Sequence, residues 1–95
     1  MQIGNLNINF IEKLTVREFQ NLNRINAKFQ NKEIDEIELG NELAKFIISD
    51  INGETDKEKI LNLILGMGSI EDYTALNEAV AKKIDVLVNP AKKKS

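Results

Sequence analysis

A row of three carboxylates has the spacing that best suits metal binding or proton transfer in this chain. Asp35, Glu38 and Glu42 are three and four residues apart, which places them on one face of a helix. Such a row can bind a metal ion or transfer protons. Helical di-metal sites usually add histidine from neighbouring helices, and the chain has none. We therefore interpret the row as a solvated helix face.

A second acidic stretch, Asp50 to Asp56, contains several residue types of a calcium-binding loop. Such a loop has glycine at its sixth position, and placing Gly53 there puts Ile48 at the first ligand position. The stretch is therefore predicted to be a helix–turn–helix connection. We expect no metal ion or other cofactor. Because histidine, cysteine and a convincing nucleophile–base pair are all missing, we also expect no enzymatic activity.

The composition is that of an ordinary globular domain. The chain has 95 residues, of which 42% are hydrophobic and 29% charged, and this length suits one small core. The absence of cysteine excludes disulfides and zinc knuckles. The first ten residues lack the pattern of a signal peptide, and no apolar run approaches the roughly 18 residues that span a bilayer. We expect a cytoplasmic protein that does not enter membranes.

Three short motifs predict where helices begin. Each pairs a serine or threonine with an acidic residue three positions later, which is the pattern of a capping box. The hydroxyl accepts a backbone N–H of the first turn, and the acidic side chain accepts the N–H of the cap residue. The motifs are Thr15 with Glu18, Thr55 with Glu58, and Ser69 with Asp72.

Apolar residues at helical spacing predict four helices. The predicted bounds are about 16–30, 33–51, 56–65 and 70–88. The third helix has apolar residues around most of its circumference and is expected to be the most buried. Asn52-Gly53 predicts a turn, and residues 91–95 are predicted to form a flexible basic tail.

The leader, residues 1–14, is predicted to contain a short strand. Leu6, Ile8 and Phe10 alternate with asparagine, which is the period of a strand. One strand cannot satisfy its own backbone, so it must pair with a second strand, a partner chain or a neighbouring subunit. The predicted fold is mainly α, a compact four-helix domain over residues 1–90 with a short N-terminal β segment.

The apolar stripes are generous for so small a domain. We therefore expect self-association or a partner to cover part of them. Core packing is the default role for aromatic residues on these stripes, and the alternative is a groove for a partner's helix or extended segment. The candidate partner-binding residues are Phe10, Phe19, Leu22, Phe29, Phe46 and Tyr73.

A basic edge lies beside the apolar stripe of the first helix. It consists of Arg17, Arg24, Lys28 and Lys32. Nucleic acid is a poor candidate for its partner, because the net charge is -2 and neither a glycine-rich phosphate loop nor interleaved aromatic residues are present. We expect this edge to pair with acidic residues of the same chain or of another subunit.

Two stretches resemble bacteriophage tail assembly chaperones. Glu12-Lys-Leu-Thr-Val-Arg-Glu-Phe19 is similar to the first helix start of that family, and Gly68-Ser-Ile-Glu-Asp-Tyr-Thr-Ala-Leu76 is similar to its closing helix. Between them, residues 42–48 resemble the middle helix and residues 52–55 the turn that follows. The likeness spans residues 8–88. The chain departs from the family in its Asn-Gly-Glu-Thr turn and its brief leader.

The resemblance implies a non-enzymatic chaperone of the host cytoplasm. Such proteins coat the tape-measure protein before the tail tube polymerises, and they are absent from the finished virion. In many phages a ribosomal frameshift adds a C-terminal extension that recruits tail tube protein, and Lys92–Lys94 lie where such a slip would occur. Two other functions stay open: a helix-turn-helix DNA-binding regulator, and a structural head–tail or tail component of the virion.

Overall fold

Residues 1–89, which the computed structural model describes, form a mainly α fold with four helices and a small antiparallel sheet, as predicted. The predicted tail, residues 91–95, lies outside the described residues. The elements in chain order are β1 (Gln2–Ile3), β2 (Leu6–Phe10), α1 (Val16–Gln30), α2 (Glu36–Ile47), β3 (Ile48–Ile51), α3 (Lys57–Leu65) and α4 (Ile70–Val88).

The first and last helices have the bounds that the sequence predicts, and α3 begins one residue later than predicted. The prediction that α3 is the most buried helix is wrong. Ile60 and Ile64 are buried, but six of the nine residues of α3 are exposed, against three of the twelve in α2. Leu63 and Leu65 are 36% and 58% exposed. Although apolar residues surround α3, the core covers only one of its faces.

The predicted second helix, 33–51, is wrong at both ends. The chain enters α2 at Glu36, because the carboxylate of Asp35 caps the helix by accepting the N–H of Glu38 at 2.8 Å. At the other end the chain leaves the helix and forms β3 from Ile48 to Ile51. Isoleucine suits an extended backbone at least as well as a helix, so pairing with β2 decides the conformation.

The sheet has β2 at its centre, with β1 and β3 antiparallel on its two sides. The leader strand therefore finds both of its partners within the chain. Opposite residues Asn9 and Asp50 add a side-chain bond, in which Asn9 Nδ2 donates to Asp50 Oδ1 at 2.7 Å. A register shift follows between Asn9 and Phe10, where β2 turns away towards α1.

Two-residue turns follow strands β1 and β3. Gly4 and Asn5 join β1 to β2, with φ of +56° at Gly4. Asn52 and Gly53 follow β3 with φ of 54° and 86°, the pair of left-handed residues that a type I′ turn requires. The backbone N–H of Asn52 donates to the carbonyl of Asn7, and its side-chain oxygen accepts the N–H of Asn7, each at 2.8 Å. The predicted Asn52-Gly53 turn is thus confirmed and is tied to β2.

The core lies between the sheet and helices α2, α3 and α4. Isoleucine dominates it, and no polar side chain is buried among the described residues. Its members are Ile3, Ile8, Ala44, Ile47, Ile48, Ile51, Ile60, Ile64, Leu76 and Val80. Helix α1 lies outside this cluster. It packs mainly on α2, and Leu22 is its buried residue, at 4% exposure.

Replacing glycine by alanine should change the stability of the protein in opposite directions at two positions. Gly40 lies inside α2 with open space where a Cβ would be, whereas Gly53 has a left-handed φ. We expect Gly40→Ala to raise the free energy of unfolding by up to about 1 kcal/mol. Gly53→Ala should lower it by about 1 kcal/mol or more. Urea denaturation measures both values, and shifts of the same sign would contradict the assigned backbone.

Candidate partner-binding surfaces

Helices α1 and α4 begin with the same five-residue pattern. A hydroxyl cap is followed by a β-branched residue, a charged residue, an acidic residue and an aromatic residue. The two copies are Thr15-Val-Arg-Glu-Phe19 and Ser69-Ile-Glu-Asp-Tyr73. The β-branched and aromatic residues are three apart, so they lie on the same helical face. We call Val16 with Phe19, and Ile70 with Tyr73, the helix-start pairs.

The caps of these helices fix their first turns to different degrees. Thr15 forms the complete predicted box: its Oγ1 accepts the N–H of Glu18 at 3.2 Å, and its own N–H donates to Glu18 Oε1 at 3.0 Å. Ser69 Oγ accepts the N–H of Asp72 at 3.2 Å, without the return bond between these two described residues. The Asp72 carboxylate instead lies against Gly4, where a Cβ would come within 2.9 Å of its Oδ2.

The predicted cap at Thr55 is wrong. Asp56 caps α3, and its Oδ1 accepts the N–H groups of Glu58 and Lys59 at 2.9 and 3.1 Å. A carboxylate is the better cap because its charge also interacts favourably with the helix dipole. Glu58 therefore plays no part in a box and accepts a bond from Lys45 Nζ at 3.3 Å.

The helix-start pairs expose large apolar side chains. Val16 is 74% exposed and Phe19 45%, while Ile70 is 85% exposed. Tyr73 is half-buried and packs against the core. Since capping alone needs only the hydroxyl and the acidic residue, folding does not require an exposed β-branched residue at either position. The side chains of Val16 and Ile70 are therefore available to contact a partner protein.

A groove at the link between α3 and α4 extends the second pair. Leu65, Met67, Ile70 and Tyr73 line a depression of about 300 Å³. This surface was not predicted from the sequence, because Leu65 was expected to lie in a buried helix. The sequence feature that could have indicated it is the pair of glycines at 66 and 68. Two glycines so close together predict a short link, which brings the last residue of α3 near the first residue of α4.

The six predicted partner-binding residues are not gathered at one site. Phe10, Phe46 and Tyr73 are half-buried against the core, and Leu22 is buried on α1 outside that core cluster. Phe29 is half-buried beside Ile34 in a depression at the α1–α2 link. Phe19 is the large exposed residue of the six.

A second groove runs between α1 and α2, with a volume of about 530 Å³. Ile11, Ile25 and Phe46 supply its apolar floor, and each is half-buried. Ile11 comes from the segment that leaves β2, and its N–H donates to the carbonyl of Ile47 at 2.9 Å. Helix α1 packs mainly on α2, and the groove lies between these two helices. We call it the lateral groove.

The two carboxylates on the rim of the lateral groove already have partners. Glu18 accepts the N–H of Thr15 in the capping box, and Glu42 pairs with Lys45 at 3.3 Å. Lys45 also reaches Glu58 at 3.3 Å. Partial burial lowers the pKa of Lys45, but the bonds and charges of Glu42 and Glu58 together outweigh it and raise that pKa above its usual value.

The other cations of the rim have no carboxylate partner within residues 1–89. Arg24 donates to the side-chain oxygen of Asn21 at 2.8 Å, and Lys28 has no ion pair. Lys57 Nζ donates to the carbonyl of Ile48. Burial lowers the pKa of Lys57, and the charge of Glu18 offsets this only in part. Within the described residues, the predicted basic edge therefore forms no ion pairs with acidic residues of the same chain.

The carboxylate row behaves as a solvated face. Asp35 serves as the cap of α2, and Glu42 is held by Lys45. Across residues 1–89, no group of three or more acidic residues is placed to hold a metal ion. Over the same part of the chain, no helix combines the length and apolarity needed to cross a membrane.

No family model, no curated protein and no solved structure matches the chain.

Because Asp56 rather than Thr55 caps α3, alanine should destabilise the protein at position 56 but hardly at position 55. Asp56→Ala should lower the free energy of unfolding by about 1 kcal/mol, because two N–H groups of α3 lose their acceptor. Thr55→Ala should change it by less than about 0.5 kcal/mol, since this exposed residue precedes the cap. Thr15→Ala, which removes a complete box, is the positive control at about 1 kcal/mol. A larger loss for Thr55→Ala than for Asp56→Ala in urea denaturation would overturn the correction.

Proposed function

We propose that this protein is a non-enzymatic bacteriophage tail assembly chaperone that binds the tape-measure protein in the host cytoplasm. The observation that carries the proposal is a coincidence of two features. The stretches that resemble this family contain the starts of α1 and α4, and these are the places where the helix-start pairs expose Val16 and Ile70.

The chemistry of the pairs suits an elongated helical client. Burying an aliphatic side chain contributes roughly 1.5–3 kcal/mol when it leaves water completely. Val16 and Ile70 already have part of their surface covered, so each contact with a client would contribute less. Weak contacts repeated along a long client add up through effective concentration. The same weakness would allow tube protein to displace the chaperone as the tail tube grows.

The caps add rigidity to this surface. Thr15 and Glu18 hold the first turn of α1 by two reciprocal bonds, and Ser69 holds the first turn of α4 by one. A side chain on a fixed turn loses less conformational freedom on binding than one on a frayed end. The pairs are therefore preorganised to present Val16 and Ile70 in one orientation.

Co-expression with the tape-measure protein tests the proposed function. We expect the tape-measure protein to be soluble with this chain and to precipitate without it, and we expect the two to co-purify. Equal solubility in both cases would refute the chaperone proposal. Mass spectrometry of purified virions provides a second criterion: a chaperone should be absent, and stoichiometric presence would instead indicate a structural tail component.

The double variant Val16→Ser/Ile70→Ser should lose client binding without unfolding. Both residues are more than two-thirds exposed, so their replacement should leave the free energy of unfolding within about 0.5 kcal/mol of the wild-type value. We expect the affinity for a tape-measure fragment to fall by about tenfold or more, because two apolar contacts are removed. Isothermal titration calorimetry measures this change.

Ile37→Ser is the matched control for that variant. Ile37 is 69% exposed on α2 and lies outside both helix-start pairs. It should bind the fragment as the wild type does. An equal loss of affinity in Ile37→Ser, or an unchanged affinity in the double variant, would show that the helix-start pairs are not the client surface.

A further inference from the structure

The lateral groove combines an apolar floor with a cationic rim, a combination that the helix-start pairs lack. Its floor is apolar, with Ile11, Ile25 and Phe46 half-buried. Its rim carries Arg24 and Lys28, which lie four residues apart on one face of α1 and have no ion pair within residues 1–89. Side chains of this kind accept a ligand that is apolar on one side and negative at its margins.

We infer that the lateral groove binds an acidic amphipathic peptide segment of a partner protein. Apolar side chains of the segment would lie on Ile25 and Phe46. Its carboxylates would pair with Arg24 and Lys28 along the α1 rim. The segment is a helix-in-groove ligand, in which residues at spacings of three and four face the floor.

Lys57 strengthens this assignment. Its ammonium group lies at the same groove, bonded to the carbonyl of Ile48 and without a carboxylate partner among the described residues. Partial removal from water makes its charged form less favourable, as its lowered pKa reflects. A carboxylate bound nearby would relieve that cost, so the groove gains more from an acidic ligand than an open surface would.

The size of the groove and the local charge both fit a peptide. The groove is open to solvent, and its volume of about 530 Å³ accommodates a few apolar side chains of a peptide. The whole chain has a net charge of -2, but at physiological ionic strength charges beyond about 8 Å are largely screened. The charges that line the groove, four cations and two carboxylates, therefore influence the approach of a ligand more than the net charge of the whole chain does.

Nucleic acid fits the same groove poorly. A polyanion would contact few cations here, since Lys45 is already paired with Glu42 and Glu58. Its phosphates would leave the apolar floor uncovered, and no exposed row of aromatic residues offers base stacking along α1. The inference uses different side chains from the helix-start pairs, so it stands or fails independently of the tail assembly proposal.

Fluorescence anisotropy with three labelled probes tests the inference on the full-length protein. The first probe is a synthetic amphipathic peptide of about 15 residues, with leucines at spacings of three and four and glutamates beside them. The second replaces every glutamate by glutamine, and the third is a single-stranded oligonucleotide of equal charge. We expect the acidic peptide to bind at least about tenfold more tightly than either of the others. Equal binding of the glutamine peptide, tighter binding of the oligonucleotide, or no binding of any probe would overturn the inference.

A matched pair of double variants assigns the binding to the groove. Arg24→Gln/Lys28→Gln removes the two unpaired cations of the α1 rim and should weaken the acidic peptide by about tenfold. Arg17→Gln/Lys32→Gln removes the same charge from the same basic edge, at residues that do not line the groove. This control should change binding by less than about twofold. Equal losses in the two variants, with circular dichroism showing both folded, would mean that net charge rather than the groove attracts the peptide.

Discussion

The backbone pairing of β2 is the constraint on which the rest of the structure depends. A central strand needs partners on both sides, and β2 takes β1 on one side and β3 on the other. The first partner is supplied by the Gly4 turn, and the second by residues that would otherwise continue α2. The inward side chains of this pairing, Ile8, Ile48 and Ile51, are fully buried and form the base of the core.

The placement of α1 follows from that pairing. Because β3 ends α2 at Ile47 and the core is closed by α3 and α4, no core position remains for the first helix. Helix α1 instead packs mainly on α2, and Leu22 is its buried residue. This position leaves Val16 and Phe19 exposed on one part of the helix and opens the lateral groove on another. Both proposed binding surfaces of α1 are thus consequences of the way the small sheet is completed.

Local features made some elements predictable and left others undetermined. Helices α1 and α4 have a hydroxyl cap and a continuous apolar stripe, and their bounds follow from these alone. The boundary between α2 and β3 depends on β2, some forty residues earlier in the chain, so periodicity could not reveal it. At α3 the two adjacent residues Thr55 and Asp56 could each cap the helix, and the charge of Asp56 favours Asp56 as the cap.

For the candidate surfaces, periodicity indicates which face of a helix is apolar but not whether another element covers it. The stripe of α1 therefore predicted Leu22 and Phe19 alike, although one is buried and the other exposed.

We propose that the capped starts of α1 and α4 form the surface that contacts the tape-measure protein. Methyl NMR spectroscopy of the full-length protein, titrated with a tape-measure fragment, tests this claim most directly, because each isoleucine and valine methyl reports its own surroundings. The account predicts that the methyl resonances of Val16 and Ile70 shift or broaden, while those of Ile37 on the exposed face of α2 stay in place. Unchanged Val16 and Ile70 resonances alongside a shifted Ile37, at saturating fragment, would contradict it.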